Sequence, residues 1–314
     1  MPSSSRRVLG AVAVVLALSA PAAAQPQARG FAVERFYPAA PGGGWLVMDD
    51  LELHGGLGGV VGVTLSYASN PLRVSDGVNR VAVVSDQAFA DIGAAITYRR
   101  WRFYLDLDTP LVVYGDRGTV GAYAFSGPAL DPASNPDVLS DARVGTDVRI
   151  FGRPGGAFRF GAGAQLLIPF GQRSDYVTDD TFRGMIRALF AGDVRWFVYA
   201  AQLGVHIRPL DDASVPGSPK GSELLFGAAA GARLPIGHTW VAVVGPEVYG
   251  ATAFRAFFEG GGTAVEGLVS GRLETTRVHR ANVRIKLGVG AGLDHRFGAA
   301  EWRLVAGVEL FGRH

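Results

Sequence analysis

Residues Ala157–Phe170 place the strongest constraint on how this chain can fold. Their even-numbered positions are all apolar, whereas the odd-numbered positions include polar or very small residues such as Arg159, Gly161 and Gln165. An alternation with a period of two puts these two sets on opposite faces of a β-strand. The apolar face has phenylalanines at both ends and aliphatic residues between them. This profile suits a strand that crosses a lipid bilayer.

The same alternation recurs along the chain. Ser140–Phe151 and Asn282–Leu293 show it most clearly, with aliphatic residues on one face and charged residues or glycines on the other. Thirteen clear segments follow one another, and Phe31–Tyr37 is a weaker fourteenth. Tight turns and longer loops rich in Gly, Pro, Asn, Asp and Ser join them alternately. This connectivity is typical of a transmembrane barrel with short periplasmic turns and long outer loops.

We therefore predict an all-β fold, a closed antiparallel transmembrane β-barrel of about 14 strands, with 12 as the alternative. The barrel forms one outer-membrane domain, residues 25–314. Single-chain bacterial barrels have an even number of strands, so Phe31–Tyr37 is expected to run upward from a periplasmic N-terminus and Trp45–Leu53 to run down. A secreted soluble sandwich is the alternative fold. Aromatic residues toward the strand ends favour the barrel.

The first 24 residues have the features of a secretory signal peptide. Arg6 and Arg7 precede the apolar stretch Val8–Leu18, and small residues lead to a cleavage site near Ala24. We expect the cleaved protein in the outer membrane of a Gram-negative cell. The full chain has 30 Lys and Arg against 28 Asp and Glu, and cleavage removes two of the arginines. The mature chain is then balanced, so its charge does not indicate nucleic-acid binding.

The expected partners follow from this location. They are outer-membrane lipid, lipopolysaccharide and the barrel-assembly machinery, with no nucleic acid. The sequence leaves the oligomeric state open. The chain has no Cys, which excludes disulfides and thiol chemistry.

The face opposite the apolar one predicts a lumen lined by charges of both signs. The residues predicted to line it are Arg102, Asp106, Asp108, Asp141, Arg143, Asp147, Arg149, Arg159, Arg187, His206, Glu223, Arg233, Glu247, Glu266, Arg272, Arg284 and Lys286. Such a lumen can form a polar channel whose charge rings select solutes. It can also be an internal salt-bridge network that fills a structural barrel without transport. We favour a passive or gated pore for small polar solutes.

Enzyme chemistry has weaker support in the sequence. The histidines lie singly, and His206, which faces the predicted lumen, has no accompanying nucleophile motif. An outer-membrane hydrolase is therefore the less favoured function, and we expect no enzyme activity, catalytic residue, metal or cofactor. Gly288, Gly290 and Gly292 lie on one strand face as lumen spacers, because no helix follows them to bind a phosphate. Asp175, Asp179 and Asp180 could bind a divalent cation, although an ordinary solvated loop is favoured.

Four segments carry a resemblance to a known family. They are Phe31–Tyr37, the following Gly42–Leu53, and the later Gly221–Gly231 and Val244–Tyr249. On these segments the chain resembles the N-terminal barrel of OmpA-type outer-membrane proteins of myxobacteria and their relatives. In that group a periplasmic peptidoglycan-binding domain often follows the barrel. The chain stops at His314, so the resemblance implies the barrel without wall anchoring.

Overall fold

The computed structural model describes residues 27–130, 139–210, 221–259, 261–275, 282–294 and 298–313. The predicted signal peptide lies outside these residues. In the described part the regular structure is β-strand, apart from two short 3-10 turns. No helix in this part is long and apolar enough to cross a membrane.

Twelve long strands close into an antiparallel barrel, which confirms the predicted fold class with the smaller of its two strand numbers. In chain order the strands of the described residues are β1 (Leu57–Ser75), β2 (Arg80–Tyr98), β3 (Trp101–Tyr114), β4 (Gly118–Val120), β5 (Tyr123–Phe125), β6 (Ala129–Leu130), β7 (Asp141–Phe151), β8 (Arg159–Pro169), β9 (Arg183–Val194), β10 (Phe197–Ile207), β11 (Glu223–Ile236), β12 (Trp240–Ala253), β13 (Thr263–Thr275), β14 (Asn282–Asp294) and β15 (Trp302–Arg313). Strand β1 pairs with β15 and β3 with β7, and the remaining long strands pair in sequence. We call these twelve strands the wall.

The two faces of the wall differ as the alternation predicts. In β14, Leu287 and Val289 are 60% and 56% exposed, whereas their neighbours Arg284 and Lys286 are buried. An 11-residue strand such as β8 is about 36 Å long and, at the usual tilt, spans roughly the apolar thickness of a bilayer. The apolar side chains thus lie outside the barrel and the charged ones inside.

Exposed aromatic residues mark both ends of the outer surface. Trp101, Phe151 and Trp196 are exposed where strands meet short turns, and Phe170 and Trp302 are exposed near the opposite end. Rings at these two levels are the girdle expected at the interfaces of a membrane.

The connections define two ends of the barrel. The short turns 99–100, 195–196 and 237–239 lie at one end, which we call the turn end. The opposite end, which we call the loop end, carries the longer connections. At this end residues 69–87 are mostly strand, because β1 and β2 have 19 residues each and continue as a hairpin. Their paired strands carry the wall further at the loop end.

The two predicted N-terminal strands are wrong. Phe31–Tyr37 and Trp45–Leu53 are not in the wall; residues 27–53 run through the barrel interior, and we call them the plug segment. Most of its residues are buried, including Val33, Met48 and Leu51. Removing these two strands from a count of fourteen leaves the twelve observed. A short apolar stretch has the same sequence pattern in a wall strand that contacts lipid as in a segment enclosed by lumen side chains.

Phe31–Tyr37 runs in the direction opposite to the one that parity predicts, whereas Trp45–Leu53 runs toward the turn end as predicted. Its first described residue, Gln27, forms a bridge with Ala124 in the loop-end hairpin β4–β5. Its last part lies at the turn end, where the Glu52 carboxylate accepts a hydrogen bond of 2.8 Å from the N–H of Gly155. The described chain therefore starts at the loop end, crosses the lumen, and enters β1 at the turn end.

Two apolar clusters hold the plug segment. At the loop end, Phe31 packs edge-on against Tyr176 with ring centroids 6.1 Å apart, in a cluster that includes Leu72 and Val113 of the wall. Deeper in the barrel, residues 45–48 pack against inward aliphatic residues of six wall strands. The interior is therefore a packed core at these two levels.

The outward face makes a prediction about membrane burial. Leu287 lies near the middle of β14, so Leu287→Arg should lower the free energy of unfolding in lipid vesicles by about 2–4 kcal/mol. Val148 lies close to the turn end of β7, and Val148→Arg should cost only about 0–1 kcal/mol. Denaturant titration of both variants measures the difference. Equal tolerance of Leu287→Arg and Leu287→Ala would contradict the assignment of the faces.

Candidate functional site: the occupied lumen

The structure places all seventeen predicted lumen residues on the inner face of the wall. Fifteen of them are buried, and Asp108 and Arg233 are half-buried. They do not line an open channel in this structure, because the plug segment occupies the space that they face.

At the turn end, three carboxylates of the plug segment pair with arginines of the wall. Asp49 pairs with Arg102. Asp50 lies 2.9 Å from Arg272. Glu52 lies 2.7 Å from Arg159, which also donates to the Asp50 carbonyl. The side chains of these plug and wall residues are largely buried, so the pairs are better protected from screening than surface pairs.

In the middle of the barrel, one wall carboxylate binds the plug backbone. Glu247 of β12 accepts hydrogen bonds from the N–H groups of Leu46 and Val47, both 2.9 Å long, and from that of Met48 at 3.3 Å. Nearer the turn end, Lys286 of β14 donates to the Trp45 carbonyl at 3.2 Å. These contacts satisfy backbone groups that would otherwise be buried without partners.

At the loop end the plug segment contributes both signs of charge. Arg35 lies 2.8 Å from Glu223 of β11. Glu34 lies 2.9 Å from Arg303 of β15. The wall thus binds side chains of the plug segment at both ends of the barrel and the backbone of the segment in the middle.

Asp179, in the loop before β9, also binds the plug segment. Its carboxylate accepts a hydrogen bond from the Ala32 N–H at 2.8 Å and pairs with Arg208 at 2.7 Å. Burial alone would raise the pKa of Asp179, but the guanidinium groups of Arg208 and Arg183 and these hydrogen bonds outweigh it and hold the pKa below its usual range. Asp179 is therefore a structural anion.

Asp175 and Asp180, the other two aspartates weighed as cation ligands, lie in the same loop. Asp180 adopts a positive φ of 56° in the loop, and Asp175 lies in a short 3-10 turn. No group of three or more potential metal ligands occurs within the described ranges.

Wall residues also pair with one another. Arg143 lies 2.9 Å from Asp106, and Arg187 lies 3.1 Å from Asp147. Asp147 also accepts from Arg102, so it connects a wall pair to the contact with the plug segment. The interior thus contains several clusters of charged side chains, and removal of one member affects the others of its cluster.

Glycines create the room that the plug segment needs. Gly44 has a φ of +90°, and a Cβ there would lie 2.1 Å from a carboxylate oxygen of Asp50. On the wall, a Cβ at Gly288 would lie 2.3 Å from Cδ1 of Leu46. The spacer glycine predicted at 288 therefore makes space for the chain's own segment.

His206 is enclosed by the network. Its ring packs edge-on against Tyr37 of the plug segment with centroids 5.5 Å apart, and its Nδ1 lies 3.7 Å from Glu223. The side chain is completely buried. A substrate could reach His206 only after the plug segment had moved.

Voids of different sizes lie along the plug segment, and the one beside Trp45 and Leu46 measures only about 10 Å³. A void of about 460 Å³ opens at the turn end between the tip of the plug segment and the wall. A smaller void, of about 30 Å³, lies beside Glu34 and Tyr37 near the loop end. The packed residues 45–48 lie between them along the plug segment.

Sequence reasoning missed several residues that hold the plug segment. The plug residues Asp49, Asp50 and Glu52 were assigned to a wall strand. On the wall, Arg303 and Glu309 of β15 were not singled out. They alternate with the exposed Leu304, Val308 and Leu310, and the same period of two identifies them.

Comparison with solved structures finds matches at low similarity, among them outer-membrane channels. An outer-membrane channel from Pseudomonas putida F1 shares 11% identity, covers 83% of this chain and 96% of its own, and has a TM-score of 0.49. The monoaromatic hydrocarbon channel CymD gives 10% identity over 84% of this chain and 90% of its own, with a TM-score of 0.38. LpxR from Salmonella typhimurium gives 8% identity over 81% of this chain and its full length, also with a TM-score of 0.38.

No protein-family model and no curated protein matches the chain. At these identities and TM-scores, the likeness says nothing about activity. The resemblance to the OmpA-type barrels stays a prediction.

Proposed function

We propose that this protein is an outer-membrane channel for small polar solutes, and that the plug segment is its gate. The structure then represents the closed state. The observation that supports this proposal is the way in which the segment is held inside the barrel.

The plug segment is not a thirteenth strand of the wall. For residues 36–53, each hydrogen bond to the wall found among the described residues involves at least one side chain. A segment held in this way can leave without breaking the ladder of backbone hydrogen bonds that closes the barrel. Water entering the lumen would solvate the charged groups that the segment leaves behind.

The charged side chains inside the wall support a polar solute as the one that the channel conducts. The inward charges of both signs would line the passage once the segment moved, and rings of charged side chains select solutes in channels. The outward apolar surface and its aromatic girdles support a location in the outer membrane. A role without catalysis is supported by the setting of His206, which packs against the plug segment and Glu223.

A disulfide between the plug segment and the wall tests the proposal. The chain has no Cys, so the double variant Leu46→Cys/Gly288→Cys introduces one thiol pair across a direct contact. In planar bilayers we expect stepwise currents from the reduced protein and almost complete silence from the oxidised protein. Thiol labelling measures how much of the disulfide has formed.

Two outcomes would reject the gate. Equal currents before and after reduction of a formed disulfide would show that the segment does not control conduction. Silence of both the wild type and the reduced variant, with folded protein, would favour the structural barrel with a filled lumen. Leu46→Cys alone is the matched control, and its currents should not respond to reductant.

A further inference from the structure

Charge is distributed unevenly along the inside of the wall. We consider the five residues of each wall strand nearest the turn end. Among those with described side chains, seven are basic and four are acidic. The basic residues are Arg102, Arg149, Arg159, Arg233, Arg272, Arg284 and Lys286, and the acidic residues are Asp147, Asp193, Glu274 and Glu309. The excess is local, because acidic residues such as Asp91, Asp108 and Glu223 lie nearer the loop end.

The tip of the plug segment neutralises this excess. Within four residues it places three carboxylates, those of Asp49, Asp50 and Glu52, against the basic wall. Among the described side chains at these positions the wall has three more positive than negative charges, and the tip supplies three negative ones. Removal of the tip would leave the guanidinium groups of Arg102, Arg159 and Arg272 without these counter-charges.

The site has an entrance. The void of about 460 Å³ at the turn end is bordered by Arg233, Arg272 and Arg284 of the wall, by the wall carboxylates Asp193 and Glu274, and by Asp50 and Glu52 of the plug segment. A solute arriving from the turn end meets Arg272 beside Asp50, whereas Arg233 and Arg284 pair with carboxylates of the wall.

From this arrangement we infer that the turn-end arginines form a binding site for small multivalent carboxylate anions, and that Asp49, Asp50 and Glu52 occupy it as a tethered competitor. The inference rests on the proposed function and deepens it, because it names the class of solute that would enter at the turn end. Guanidinium groups suit this class, since they form paired hydrogen bonds with carboxylates. An anion that displaces the tip would replace its three contacts at once.

Citrate binding to the purified full-length barrel in detergent tests the site without relying on conduction. The variant Asp49→Asn/Asp50→Asn/Glu52→Gln keeps the size of the tip and removes its charge. Calorimetry should show that the affinity for citrate is at least about tenfold higher in this variant than in the wild type, whose site is occupied by the tip. Adding Arg272→Gln/Arg284→Gln should weaken binding again by about tenfold.

The controls separate this site from simple charge attraction. Arg195→Gln/Arg99→Gln removes two exposed arginines at the same end and should leave citrate binding unchanged. The heat-dependent shift in gel migration shows whether each variant is folded, and the single variant Asp50→Asn serves if the triple variant is not. Citrate affinity unaffected by neutralising the tip, or by the substitutions at Arg272 and Arg284, would overturn the inference.

The site and the gate can fail separately. Citrate binding with the expected pattern, in a protein that never conducts, would reject the channel and keep the anion site. Conduction without citrate binding would reject the anion site and keep the channel.

Discussion

Replacing Glu247 with Ala should lower the free energy of unfolding by roughly 3–9 kcal/mol. The carboxylate accepts hydrogen bonds from three consecutive backbone N–H groups of the plug segment. Alanine cannot replace them, and each buried N–H left without a partner costs about 1–3 kcal/mol. Denaturant titration of the folded barrel in lipid vesicles measures this loss.

The same variant should also conduct more often than the wild type, because the anchor in the middle of the segment is gone. Glu247→Gln keeps one carbonyl oxygen and should have a smaller effect on both measurements. Glu301→Ala is the matched control, because that glutamate is exposed at the loop end, and it should change stability by less than about 1 kcal/mol. A loss as small as that of the control would mean that Glu247 does not hold the plug segment.

The second large effect is expected for Arg102→Ala, which should cost about 3–5 kcal/mol. Arg102 is 1% exposed and pairs with Asp49 of the plug segment and Asp147 of the wall. Asp147 keeps a second partner, Arg187, at 3.1 Å. In this variant Asp49 is therefore the buried carboxylate that loses the most from the removal of the Arg102 guanidinium.

A double-mutant cycle identifies that charge. Adding Asp49→Asn to Arg102→Ala should recover part of the lost stability, because it removes the unpaired carboxylate. Arg100→Ala, at an exposed arginine in the turn before β3, should cost less than about 1 kcal/mol. Additive effects of Arg102→Ala and Asp49→Asn would show that the two side chains do not interact.

The wall could be predicted from the sequence because lipid and lumen impose opposite demands on successive residues. In β7, Arg143, Asp147 and Arg149 alternate with Val144 and Ile150, and the structure buries the first set and exposes the second. The same rule placed the charged residues on the inner face. This alternation can be recognised in each wall strand separately, because each strand contacts lipid on one face and the lumen on the other.

The plug segment could not be recognised by this rule. Trp45, Leu46, Val47 and Met48 are consecutive apolar residues, and the structure buries all four inside the barrel. Composition does not distinguish a strand that contacts lipid from a segment enclosed by side chains. The distinction depends on contacts between residues about 200 positions apart, such as Leu46 and Glu247, which no local pattern contains.

Closure of the wall also constrains the order in which the barrel assembles. The seam between β1 and β15 runs from Gly58 paired with Arg313 to Ser69 paired with Trp302, and the plug segment enters β1 directly beside it. The residues that fill the barrel precede every wall strand in the sequence, while the strand that completes the wall is the last one described. The plug segment is therefore synthesised before the whole wall, so its carboxylates are available to the inward arginines before the seam between β1 and β15 forms.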